Sequence, residues 1–130
     1  MEIRKLYENA VRENVRPDFL GNWIYEKFLE SGEKFEDFEV DKAVFDVLQM
    51  MIDNGDVDGF FVHSAMEIEI DGMGGLLFFY DENHNLQINE DELGKLRESI
   101  KLLEKFVEKN EVELIPFWEN AYRELVEAAA

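Results

Sequence analysis

The chain has 130 residues, 46% hydrophobic with 11 Phe and 2 Trp, a supply that excludes a disordered acidic tail and indicates a packed core. Its formal charge of −18, from 13 Lys plus Arg against 31 Asp plus Glu, opposes direct binding of nucleic acid or of an anionic membrane surface. No Cys is present for a disulfide frame, a thiolate nucleophile or a cysteine zinc site, and no apolar run has transmembrane length, so a single cytoplasmic domain over 1–130 is expected.

In chain order, Ile3, Leu6, Ala10 and Val11 recur at three-to-four spacing and predict a helix over 2–14. Pro17 opens a second helix over 17–31, with Phe19, Leu20, Trp23, Ile24, Phe28 and Leu29 as its apolar stripe and Ser31-Gly32 as its stop. An acidic connector from Glu33 to Asp41 carries Phe35 and Phe38 as anchors. Asp41 is the expected N-cap of a third helix over 41–54, closed by Asn54-Gly55.

The period then changes. Phe60, Val62, Ser64, Met66, Ile68 and Ile70 alternate with more polar neighbours, which predicts a strand over 59–71. Gly72 to Gly75 reads as a turn, 75–81 as a second strand and 86–88 as a third, together a three-stranded antiparallel meander. Asn89 with Glu92 resembles a capping box and opens a helix over 89–110, and Pro116 starts a last helix over 115–128. The expected fold class is α+β, with about five helices around the small sheet. The apolar Gly75–Tyr80 run needs covering, by helices or by a second copy in a homodimer.

The charge is unevenly spread. Between Lys42 and Lys95 there is no Lys or Arg in 52 residues, which hold 12 carboxylates. On the expected strand Glu67, Glu69 and Asp71 project from one face about 7 Å apart, with Asp56 and Asp58 entering it and Asp81 and Glu82 in the next turn. These seven residues are the candidate partner-binding set. Arg97, Lys101, Lys105 and Lys109 recur every four residues on the following helix as a basic ridge.

Chemistry-bearing patterns are sparse. His63 and His84 are the two histidines; Ser31, Ser64 and Ser99 have no nucleophile-elbow context; and Gly72 to Gly75 lacks the strand-to-helix setting of a phosphate loop. Asp81, Asn83, Asn85, Asn89 and Glu92 fall at positions one, three, five, nine and twelve of a calcium loop, and so form the alternative metal set. Leu86, however, stands where the sharp turn needs Gly.

In profile, being small, acidic and without a catalytic motif, the chain is similar to the immunity proteins that block nucleases and to phage proteins that mimic nucleic acid. This resemblance is one of composition. It implies a non-enzymatic inhibitor without a cofactor, whose carboxylates stand in for phosphates on a basic partner such as a nuclease or a nucleic-acid-binding effector. Trp23, Trp118 and Phe61 are the expected apolar anchors.

Overall fold

The computed structural model describes residues 1–130. Its order is α1 (Ile3–Arg12), a 3₁₀ turn (Pro17–Phe19), α2 (Leu20–Glu30), α3 (Asp37–Asp53), α4 (Gly59–Leu77), β1 (Phe78–Tyr80), β2 (Leu86–Ile88), α5 (Glu90–Lys109) and α6 (Pro116–Ala129). No helix is long and apolar enough to cross a membrane. Two compact units divide the chain, Met1–Met66 and Glu67–Ala130, with the boundary inside α4.

In the first unit α1 and α2 both pack on α3. Leu6 and Ala10 of α1, Leu20, Ile24 and Phe28 of α2, and Val44, Val47, Leu48 and Met51 of α3 are buried. Phe35 anchors the connector, its ring edge-on to Phe28 at 5.3 Å and to Tyr25 at 5.7 Å. The third helix starts at Asp37, four residues before the expected 41. Glu36 caps it in a reciprocal box with Glu39, and the Glu36 amide donates to Glu39 Oε2 at 2.8 Å. Asp41 therefore lies inside the helix. Asn14 and Gly55, both at positive φ, close α1 and α3 with 6→1 bonds, Val15 N–H to Ala10 O and Asp56 N–H to Met51 O.

The largest departure from expectation is α4. The expected strand over 59–71 and turn at 72–75 are one continuous helix, and the strand expected over 75–81 shrinks to Phe78–Tyr80. The sheet is accordingly a two-stranded antiparallel hairpin and not a three-stranded meander, and the helices number six. The physical reason is visible in what is buried. Val62, Met66, Ile70, Met73 and Leu77 are covered, at spacings of four, four, three and four. Phe60 and Ile68, which a strand would turn inward with Val62 and Met66, are 70% and 54% exposed.

In the second unit α5 packs against α6. Leu93, Leu96, Ile100, Leu103, Phe106 and Val107 of α5 and Tyr122, Leu125 and Ala129 of α6 are buried. Asn89 caps α5 by accepting from the Glu92 amide at 3.3 Å, while its own amide donates to Leu77 O at 2.8 Å, tying the end of α4 to the start of α5. The basic ridge of Arg97, Lys101, Lys105 and Lys109 faces solvent.

Two stability tests follow from this packing. A Cβ at Gly72 or Gly75 meets nothing within 4 Å, so Gly72→Ala and Gly75→Ala should each stabilise by about 0.5–1 kcal/mol through helix propensity. Loss of stability on denaturant unfolding would return the segment to a glycine turn. Ser99 is buried in α5 and its hydroxyl has no hydrogen-bond partner. Ser99→Ala should therefore raise stability by roughly 1 kcal/mol, read as a higher midpoint in the same titration.

Candidate functional site

The helical course of α4 redistributes the candidate carboxylates. Glu67 and Asp71, one turn apart, share a face of the helix, but Glu69 lies two residues round and projects elsewhere. The common strand face expected for Glu67, Glu69 and Asp71 is absent. Glu67 and Glu69 are partly covered and Asp71 is exposed.

Two others of the set carry structural duties. Asp58 caps α4 by accepting from the Phe61 amide at 3.3 Å. Asp56 accepts a 2.5 Å hydrogen bond from the Tyr7 hydroxyl, which joins α1 to the loop after α3 and pushes the Tyr7 phenol above its ordinary pKa. Both also border an open cleft of about 580 Å³ in the first unit, whose apolar lining includes Val11, Val15, Pro17 and Met51. Arg16 at its edge is paired with Asp18 at 2.9 Å.

The hairpin is built on Asp81. One carboxylate oxygen accepts from the Asn83 and Asn85 amides, both at 2.9 Å, and the other from the Gln87 side chain at 3.1 Å. His84 takes a left-handed conformation, φ 62°, so that its amide reaches Asp81 O at 3.0 Å. The Asn85 bond foremost, then those of Asn83 and Gln87, holds the Asp81 carboxyl below the usual aspartate range despite some desolvation. Glu82, next in the loop, is exposed.

The calcium-loop positions are thereby distributed over three different elements. Asp81 organises a turn, Asn83 and Asn85 serve it through their amides, Asn89 caps α5, and Glu92 lies 3.9 Å from Lys95. A strand precedes them where a calcium loop has its entering helix. No cluster of three or more His, Asp or Glu side chains is gathered to hold a metal ion.

Sequence reasoning expected the apolar Gly75–Tyr80 run to be covered, whereas the hairpin part of it lies open. Phe78 pairs with Ile88 and Tyr80 with Leu86 across the ladder. Tyr80 is 70% exposed, and Phe79, Leu86 and Ile88 are exposed as well. The expected anchors Trp23, Trp118 and Phe61 are partly covered instead. The physical reason is the brevity of the observed hairpin, since two three-residue strands cannot bury both of their faces.

The carboxylate of Asp81 sets a pH dependence. Because its native pKa is lowered, its contribution to the turn is complete above the ordinary aspartate pKa and is lost as pH falls through the lowered value. Carboxyl carbon NMR should show Asp81 titrating below an exposed aspartate. Asp81→Ala should speed amide exchange at Asn83 and Asn85 at neutral pH, and unchanged exchange would remove Asp81 as the organiser of the loop.

Comparison with protein-family models, with curated proteins and with solved structures yields no match for this chain.

Proposed function

We propose that the chain is a non-enzymatic acidic protein-binding module that occupies a basic, nucleic-acid-binding site of another protein, in the manner of nuclease immunity and phage anti-defence proteins. The observation that carries this reading is the exposed apolar hairpin lying inside the stretch that has no Lys or Arg. Protein interfaces combine a desolvated aromatic centre with a polar rim. Tyr80, Leu86 and Ile88 share one face of the hairpin and supply such a centre, while Asp71, Glu82, Glu90 and Asp91 are exposed carboxylates before, within and after the hairpin.

A basic partner is favoured over a second copy by charge. Two chains of −18 repel, and the stretch from 43 to 94 contributes twelve negative charges and no positive ones to any contact. Opposite potential would speed encounter with a basic groove, and the hairpin aromatics would then slow release. The mimicry is one of overall charge and not of phosphate spacing along a strand.

The test is capture on the immobilised chain from an extract of its source cells, followed by elution with duplex DNA or with salt. A retained nuclease or other DNA-binding protein should be released by DNA, and its affinity should fall at least about tenfold between 50 and 200 mM salt. Tyr80→Ala with Leu86→Ala should weaken the complex at every salt concentration. Retention that neither DNA nor salt disturbs would refute the proposal.

A further inference from the structure

The hairpin has a free edge as well as an apolar face, and its register decides which groups that edge presents. The Asn89 amide donates to Leu77 O at 2.8 Å and the Asp81 amide to Asn85 O at 3.0 Å. The hydrogen-bonded pairs of the ladder are therefore Leu77–Asn89, Phe79–Gln87 and Asp81–Asn85, with Phe78–Ile88 and Tyr80–Leu86 as the non-bonded pairs between them. In a non-bonded pair the backbone N–H and C=O of each residue point away from the opposite strand. The sheet has no third strand, so Leu86 and Ile88 turn two N–H and two C=O groups outward along the free edge of β2.

The two edges of the hairpin are not equivalent. β1 leads straight out of α4 and begins on the half-buried Phe78, whereas β2 is exposed at all three residues. Edge strands are ordinarily guarded by a Lys, a Pro, a bulge or an inward-pointing charge. Leu86-Gln87-Ile88 carries none of these, and its pairing with β1 runs without a bulge. Its guards are its brevity and the carboxylates around it, Glu82 in the loop before it and Glu90 and Asp91 just after it, all exposed. Such a guard is selective: it repels another acidic edge, that of a second copy included, and attracts a basic one. The edge is also set in advance, since Asp81 fixes the loop at one end and the Asn89–Leu77 bond fixes the other.

Outward backbone groups at strand spacing, here about 7 Å from Leu86 to Ile88, are matched by an extended chain that offers its own N–H and C=O groups at the same interval. We infer that β2 is the receiving edge for a strand of the partner protein, an extended segment in which basic and apolar residues alternate. Antiparallel pairing is the more stable arrangement. It sets two apolar residues of the incoming strand opposite Leu86 and Ile88, on the face they share with Tyr80, and the basic residues on either side answer the field of Glu82, Glu90 and Asp91. The edge bonds fix orientation and register, and the apolar face supplies the desolvation. The inference rests on the partner-binding reading for the charge of the partner, and adds to it the segment that binds and the bonds that hold it.

The experiment is a titration of the full chain with a capped peptide, Lys-Val-Lys-Val-Lys-Val-Lys, followed by NMR shifts and amide exchange. In the free chain the Leu86 and Ile88 amides should exchange faster than those of Phe79 and Gln87, and saturating peptide should slow them at least about tenfold. N-methylation of the valines deletes the N–H groups that face β2 and should weaken binding at least about tenfold. N-methylation of the inner lysines, whose N–H groups face solvent, should change it by less than about threefold. A Glu-Val peptide of the same length should not bind. On the protein side, Ile88→Pro removes one outward donor at an edge position that tolerates proline and should weaken binding, while Ile88→Val keeps the donor and should bind as the parent does. Equal binding by the valine-methylated peptide or by the Glu-Val peptide, or unslowed exchange at Leu86 and Ile88, would overturn strand addition. A captured partner that DNA releases but that leaves those two amides unslowed would overturn it as well, while the partner-binding reading stands. Slowed exchange with the peptide, beside a captured protein that neither DNA nor salt releases, would support the edge and refute that reading.

Discussion

Val62, Met66, Ile70, Met73 and Leu77 are buried along a single stripe of α4, and the placement of Glu67, Glu69 and Asp71 depends on that stripe. Burying five such side chains is worth about 1.5–3 kcal/mol each, whereas the interior glycines Gly72, Gly74 and Gly75 cost a helix about 1 kcal/mol each. Burial wins, and the glycines stay helical. Once the segment is a helix, its carboxylates are turned by 100° per residue and cannot form a row. The acidic character survives as a field over the surface, while the ordered array of charges expected of a strand does not.

The elements around α4 are closed by short-range hydrogen bonds that draw on the acidic and amide residues in which the chain is rich. Glu36, Asp58 and Asn89 begin helices, and Asp81 folds the hairpin loop around its own carboxylate. Asn14, Gly55 and Glu111 end helices in left-handed conformations. A carboxylate at a helix N-terminus is stabilised by the dipole, so part of the large negative charge is absorbed locally. The remainder has few bases to answer it: Lys42 meets Asp46 at one end of the base-free stretch and Lys95 approaches Glu92 at the other.

These two facts explain what the sequence made legible. The helices α1, α5 and α6 were read to within two residues at each end, because their apolar residues recur at three and four and their ends carry Pro, Asn or a capping pair. The second hairpin strand was read as it stands. The α4 segment was misread because positions i, i+4 and i+8 share a face in a strand as well as in a helix, so Val62, Met66 and Ile70 satisfy both periods. Length was the neglected discriminator, since a thirteen-residue strand is longer than strands usually run. The start of α3 was missed because Glu is an uncommon N-cap, and only the pairing of Glu36 with Glu39 reveals it.

The hairpin separates what attracts a partner from what holds it. At the hairpin the polar groups of Asp81 and Gln87 are already satisfied within the loop, so a partner gains there mainly by covering Tyr80, Leu86 and Ile88. The surrounding carboxylates act at a distance and govern how fast a basic surface arrives. Salt should therefore slow the arrival of a basic surface while leaving the apolar contact largely intact, so the two contributions separate into association and dissociation rates.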